Sequence, residues 1–532
     1  MVVRRLTVVL VLLVGAVGLA ACGGGSSSSG GSGGSGNTED AAGAVTLGGI
    51  LTAARGADVQ VWDPAQINDN DSLWAAFQTN ANLIMASPDG KSLEPYVAKS
   101  WEVSPDGLTY TFVIDPAAKF CDGSQITAED VVYSFNRAKN KDAVVSWQYP
   151  AGMEVSAPDP GTAVITLPEA NVSFLSYLTL WGTAIVSKQY GEQVGDTGLA
   201  EKPLGSGPFC LKSWERGSQI TLVRNENFWL KDKDGNRLPY LDEIDWKIVK
   251  DDNARLAELQ SGQLDVATVL APSQFASLEG APGIVTGESP LLGTISLFTN
   301  LKVPALADKN VRQALNYATD KQAIIDGVLF GKGKPAMSTL FLANFTNEAY
   351  GYPYDLDKAK ELMASSGFAN GFPVTVTYVG GDSVAEQTLT ILKDEWAKIG
   401  VDLKLKAIEE GVYFDTWSSG DWELIWVKAT NDIYDPAENL HFNMMGEEGG
   451  SNSGFTGYTD PNLNKLVLAA EKETDETKRA DLYDQIQKIY MADGPQVYLF
   501  HPEALWATSD KVGGFEIYKT GLHPFWYTYL KQ

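Results

Sequence analysis

The chain is poor in residues that carry catalytic chemistry, with three cysteines and three histidines among 532 residues. His441, His501 and His523 stand apart, and none falls in an HExxH or Cys/His metal spacing, so no metal centre is expected. No GxxxxGK[ST] phosphate loop occurs, which excludes a P-loop ATPase. A GxSxG string at residues 30–34 sits in a Gly/Ser tract, without the strand and helix that make a nucleophile elbow. Acidic pairs such as Glu409-Glu410 and Glu447-Glu448 have the chemistry of a glycosidase, but chance supplies such pairs among 67 acidic residues. No catalytic residue, metal or cofactor is assigned. Positive charge is scarce too: 41 Lys and Arg leave a formal net charge of −26. That balance argues against nucleic acid or an anionic lipid face as the main partner. Beyond the N-terminus no stretch is long and apolar enough to span a bilayer, and there is no internal repeat.

What is present begins with an address. Arg4 and Arg5 precede an almost wholly apolar run over residues 6–19, which ends in Leu19-Ala20-Ala21-Cys22. This is the layout of a secretory signal peptide, with an apolar core too short for a membrane span. Leu-Ala-Ala-Cys resembles the lipobox of bacterial lipoproteins, so residues 1–22 are read as a lipoprotein signal and Cys22 as the lipidated residue. Residues 23–44 open with an uninterrupted Gly/Ser tract and form a flexible tether. Without Arg4 and Arg5 the net charge becomes −28. The expected location is outside the cell, lipid-anchored to the outer face of the cytoplasmic membrane. Two cysteines then remain, Cys121 and Cys210, in a compartment that permits pairing; a disulfide and two buried thiols are both open.

The body, with 44% hydrophobic residues in the full count, is long enough for two or three domains. Residues 108–114 alternate as a strand after a Pro-Asp-Gly turn, and Thr127-Ala-Glu-Asp130 resembles a capping box opening a helix to Ala138. Strands are expected at 219–224, 244–249, 374–379 and 401–408, and an apolar run follows at 424–427. Helices are expected at 253–260, 385–399, 461–473 and 476–491, and residues 311–328 keep helical spacing throughout. Alternating strands and helices indicate α/β domains with parallel or mixed sheets.

Several separated stretches carry a family resemblance. They are Leu93-Glu-Pro-Tyr-Val-Ala-Lys-Ser-Trp101, Pro105-Asp-Gly-Leu-Thr-Tyr-Thr-Phe112 and Phe120-Cys-Asp-Gly-Ser-Gln-Ile-Thr-Ala-Glu-Asp-Val-Val132. Pro203-Leu-Gly-Ser-Gly-Pro-Phe209, Arg224-Asn225 with Phe228-Trp229, Val311-Arg-Gln-Ala-Leu315, and Gly457-Tyr458 to Leu466 follow in order. Together they resemble the large extracellular solute-binding proteins of the dipeptide, oligopeptide and nickel type, over nearly the whole body.

The resemblance implies a two-lobed periplasmic-binding-protein-like fold with an extra inserted small domain and a cleft between lobes. Lobe I would comprise residues 45–63, 189–289 and 502–532, the inserted domain 64–188, and lobe II 290–501. It also implies a non-enzymatic monomer that captures a peptide or other small-molecule ligand by hinge closure and delivers it to ABC permease subunits. In peptide-binding members an Asp before an acidic-Pro step pairs with the ligand's α-ammonium. Thr430-Asn-Asp-Ile-Tyr-Asp-Pro436 puts Asp432 in that role, with turn capping by Asp432 or Asp435 as the alternative. Trp62, Trp417, Trp426 and Tyr434 are candidate ligand-facing rings, each with core packing as its alternative. No basic residue offers itself for a ligand carboxylate. Competing ligands are an oligosaccharide, an opine or a metal chelate; competing classes are a secreted hydrolase and a surface adhesion lipoprotein.

Overall fold

The computed structural model describes residues 45–531, apart from 142, 341, 343–344 and 446–454. The signal segment, Cys22 and the tether lie outside the described residues. Two mixed sheets carry the two-lobed α/β fold. The first has seven strands, in the order Ile284–Pro290, Glu503–Ser509, Val266–Ala267, Ile50–Arg55, Glu243–Ile248, Gln219–Arg224 and Phe209–Glu215. The second has six, in the order Lys334–Pro335, Gln496–His501, Gly293–Thr299, Leu424–Thr430, Phe372–Val379 and Val401–Ile408. Parallel pairing is confined to Ile50–Arg55 with its two neighbours and Phe372–Val379 with its two.

Burial explains the strand sequences. Gly293–Thr299 is buried at all seven positions, as a strand covered on both faces must be. Leu297 joins a core with Val311, Leu315 and Leu389 on one side, while Phe298 joins Trp417, Trp422 and Ile425 on the other. The acidic composition has a local use. Among the described residues, eight helices begin with an Asp side chain accepting a backbone N–H, at Asp69, Asp251, Asp308, Asp320, Asp355, Asp382, Asp460 and Asp475. A carboxylate there satisfies an orphan donor and faces the positive end of the helix dipole. Asp320 also divides the apolar run at 311–328, which is two helices, Lys309–Tyr317 and Lys321–Val328.

A third sheet, of four antiparallel strands, is formed by Ala98–Val103, Thr109–Ile114, Thr162–Thr166 and Glu154–Asp159. The helix Ala128–Ala138 packs on it through Val131 and Phe135. One carboxylate oxygen of Asp130 accepts the Thr127 N–H and hydroxyl, each at 2.8 Å, and the other accepts the Lys188 N–H at 2.8 Å. A disulfide joins Cys121 of this small domain to Cys210 in the strand Phe209–Glu215, with Cα atoms 6.0 Å apart.

The chain crosses between the two large sheets at residues 291–292 and again at Pro502. The Leu291 N–H donates to the Pro502 carbonyl at 3.1 Å, so the crossings lie side by side. After the second crossing the tail returns to the seven-stranded lobe, where Phe515, Ile517, Phe525 and Trp526 join its core. This return brings residues 518–527 against the small domain and makes one wall of a cleft.

Candidate functional site

Asp432 leaves the end of the strand Leu424–Thr430 beside the first crossing, where the Asn431 N–H donates to the Leu292 carbonyl at 2.7 Å. The following turn is held by side chains rather than by a regular element. Asn431 Nδ2 donates to the Asp435 carbonyl at 3.0 Å, and its Oδ1 accepts the Asn439 N–H at 3.1 Å. Glu438 Oε2 accepts the N–H groups of Asp432 at 2.6 Å and Ile433 at 3.2 Å. Asp432 itself borders the cleft.

The cleft holds two adjoining chambers, one larger than the other. Phe77, Asn82, Thr179, Asp432 and Leu522 border both, so Asp432 stands at the neck between them. The larger chamber is walled by Tyr96, Tyr434, Tyr518, Trp526 and Tyr527, and also holds Glu94. The smaller is mostly apolar, with Leu73, Ala76, Leu180 and Ala184. Each has a buried polar atom without a protein partner: Thr520 Oγ1 in the larger, on a residue 5% exposed, and Asn80 Nδ2 in the smaller, on a residue 7% exposed. Buried polar groups without a partner also occur in the cores, at Trp62, Trp417 and Trp426 Nε1 among others.

The electrostatics at the neck are one-sided. Asp432 is half-buried and its side chain borders both chambers. Burial therefore pushes its carboxyl above the usual carboxylate range, although a hydrogen bond from Glu438 pulls the other way. Burial pushes the Glu438 carboxyl up more strongly, and the Asp432 charge adds to the effect. The two carboxyls titrate as a pair, and burial favours the pair holding a proton. No Lys, Arg or His borders either chamber among the described residues.

Asp435, three residues on, is engaged differently. It accepts from Arg479 Nη2 at 2.9 Å on both oxygens, and one oxygen also accepts from the Ser173 hydroxyl and the Ala437 N–H at 2.9 Å. The turn-capping role therefore belongs to Asp435. Ser173 comes from the small domain, so this cluster ties that domain to the six-stranded lobe. Nearby, the Val172 N–H donates to the Glu471 carbonyl at 2.7 Å, and Tyr177 and Leu180 pack on Ile433 and Ala437. Tyr434 spans the same gap: its hydroxyl donates to the Pro88 carbonyl at 3.0 Å, and its ring lies over Gly90. A Cβ at Gly90 would fall 1.9 Å from the ring, and the residue's φ of +72° also favours glycine.

Of the expected ligand-facing residues, the structure brings Asp432 and Tyr434 to the cleft. Trp62, Trp417 and Trp426 lie elsewhere. Trp62 is fully buried in the seven-stranded lobe, edge-on to Trp214. Trp417 packs edge-on to Phe298, and Trp426 packs in the core on the other face of the same sheet, near Phe500. All three fill interiors that a large ring stabilises by area alone. The residues missed by sequence reasoning are Glu438, Glu94, Asn80, Thr520 and the rings at 518–527. Glu438 had a local signal, an acid two residues after the Asp435-Pro436 step. The others come from distant segments with no shared pattern.

Comparison with known proteins places the whole body. A family model described as Bacterial extracellular solute-binding proteins, family 5 Middle, matches residues 92–451. The chain is 28% identical over 476 residues to the probable D,D-dipeptide-binding periplasmic protein DdpA of Escherichia coli strain K12, covering 88% of this chain and 91% of that one. Among solved structures it is similar to the ABC transporter-associated periplasmic binding protein DppA from Helicobacter pylori in complex with peptide STSA. That match has a TM-score of 0.81 at 26% identity and covers 92% of this chain and 99% of the other. AgaA from A. tumefaciens R10, in complex with agropinic acid, matches with a TM-score of 0.82 at 25% identity, covering 91% and 99%.

Proposed function

The chain belongs to the bacterial extracellular solute-binding proteins of family 5, and on that premise we propose that it captures peptides and hands them to the permease of an ABC importer. Membership makes it an exported binding protein of a transport system rather than an enzyme. The peptide's α-ammonium meets Asp432, and its neighbouring side chains occupy the two chambers. Ligand touching both lobes favours the closed arrangement, in which Tyr434 and the Ser173–Asp435–Arg479 cluster join the walls. The protein acts as a monomer held by lipid on Cys22, with the Gly/Ser tract as its tether. Labelling with a fatty-acid analogue marks the wild type and not Cys22→Ser on this reading.

One observation carries the ligand assignment: the Asp432 carboxyl borders both chambers of a cleft whose lining offers it no cation. A carboxylate out of water calls for a charged partner, which here the ligand would bring. The relatives named for a D,D-dipeptide and crystallised with peptide STSA support a peptide, and agropinic acid in AgaA marks the alternative that a titration must reject. Calorimetric titration of wild type and Asp432→Asn with a free and an N-acetylated peptide decides. Removing one charge of a buried pair costs about 3–5 kcal/mol, a loss of roughly 100-fold or more. Acetylation lowers wild-type affinity similarly, and the two losses do not add in full. An Asp432→Asn protein that binds free peptide within about threefold of wild type would end the assignment.

A further inference from the structure

The larger chamber holds a second acid that the ammonium site does not use. Glu94 lies on the short strand Leu93–Pro95, opposite Met85 of Ile84–Ala86, and is half-buried with its side chain bordering the chamber. Three other acids of the small domain have cations: Asp89 meets Lys91, Glu129 meets Lys188 and Glu169 meets Lys472. The Glu94 side chain has no ion pair or hydrogen bond among the described residues. It acts with Glu516 on the phenols of Tyr518 and Tyr527, so this corner is doubly acidic. Thr520 Oγ1, buried and without a partner, borders the same space. Four tyrosines and Trp526 offer ring faces, which attract a cation desolvated among them.

From this arrangement, and resting on the peptide reading above, we infer that Glu94 is a second cation anchor and that the preferred ligand is a peptide with a lysine or arginine side chain in the larger chamber. With the α-ammonium at the neck, the basic side chain extends past the tyrosines to Glu94. The apolar smaller chamber takes a neighbouring aliphatic side chain. A ligand carboxylate finds no cation in either chamber and would face two acids in the larger one, so an acidic side chain is rejected there.

The test uses the purified mature protein and nine tripeptides. Lysine, norleucine (its uncharged counterpart of similar length) and glutamate are each placed at every position of trialanine. Calorimetric titration should show one lysine position binding at least about tenfold more tightly than its norleucine counterpart, the size of one well-placed charge pair. In Glu94→Gln that preference should collapse while norleucine peptides stay within about threefold of wild type. Glu94→Lys should reverse it in favour of a glutamate peptide, an outcome that lost folding cannot mimic. Asp432→Asn should weaken lysine and norleucine peptides alike. Equal binding of lysine and norleucine peptides by wild type, or a lysine preference that survives Glu94→Gln, overturns the inference while leaving the peptide reading standing. Failure of every tripeptide to bind removes both.

Discussion

Asp432 and Asp435 lie three residues apart in one turn and have opposite surroundings. Asp435 meets Arg479, the Ser173 hydroxyl and a backbone N–H, so its charge is neutralised within the protein. Asp432 has only the carboxyl of Glu438 beside it and otherwise faces the chambers. The difference separates an acid satisfied within the protein from one that the protein leaves without a cation, the one that the proposed function gives to the ligand's ammonium. It also shows why the sequence pattern, which puts an acid at both places, leaves their roles undecided.

The largest expected effect breaks the Asp435 side of the comparison. Asp435→Asn leaves the Arg479 guanidinium, 13% exposed, without its counter-charge. Such a loss costs about 3–5 kcal/mol. Urea unfolding of the ligand-free protein should register it, whereas Asp432→Asn should show no loss of stability at neutral pH and only a loss of affinity. Equal destabilisation by both substitutions would remove the distinction. Next in size is the bond between Cys121 and Cys210, which spans 89 residues of sequence. Replacing both by serine frees the small domain from the strand Phe209–Glu215 and should cost about 2–4 kcal/mol. Affinity measured well below the new melting point should change much less.

A smaller effect sharpens the Asp432 side through pH. Burial raises the Asp432 and Glu438 carboxyls in the folded protein above their unfolded values of about 4. Between the unfolded and the raised values the folded state therefore binds more protons than the unfolded state. The pair's contribution to stability is fully present below the unfolded value and is lost as pH rises through the raised one. Cation binding has the opposite slope, because it needs Asp432 charged. Ligand-free wild type should lose melting temperature relative to Asp432→Asn between about pH 5 and about pH 8, while peptide affinity rises over the same interval. Parallel slopes in the two proteins would show that the pair does not titrate in that window.

Regular elements were legible where a local rule decides them. The strands at 219–224 and 401–408 begin and end as alternation predicts, and Asp130 completes the expected capping box. The run at 311–328 misled because helical spacing continues across Asp320, while that side chain caps a new helix. In the cleft, Asp432 and Tyr434 were legible because a short motif carries them. Trp62, Trp417 and Trp426 were not, since an indole ring suits a core and a ligand wall equally well. Glu94 and Thr520 were beyond reach: tertiary folding brings residues 94 and 520 to one chamber, and no local pattern encodes that meeting.

The smallest effect tests whether Tyr434 acts as a wall or as a clasp. Its hydroxyl makes one hydrogen bond across the cleft, to the Pro88 carbonyl, and its ring fills the space that Gly90 leaves open. Tyr434→Phe removes the hydrogen bond and keeps the ring. A neutral hydrogen bond contributes about 0.5–1.5 kcal/mol net, so closure should weaken by a factor of roughly 2 to 12. If the bond forms only on closure, the loss appears in the dissociation rate of bound peptide, with association nearly unchanged. The ligand-free protein, whose cleft has no need of the bond while open, should melt at an unchanged temperature. Stopped-flow displacement of a fluorescent peptide measures the rates. A slower association with unchanged dissociation would place the bond in the open protein as well, making Tyr434 a fixed part of the wall. Gly90→Ala supplies the converse: the added Cβ meets the ring and should impair closure more than loss of the hydroxyl does, because it displaces the ring itself.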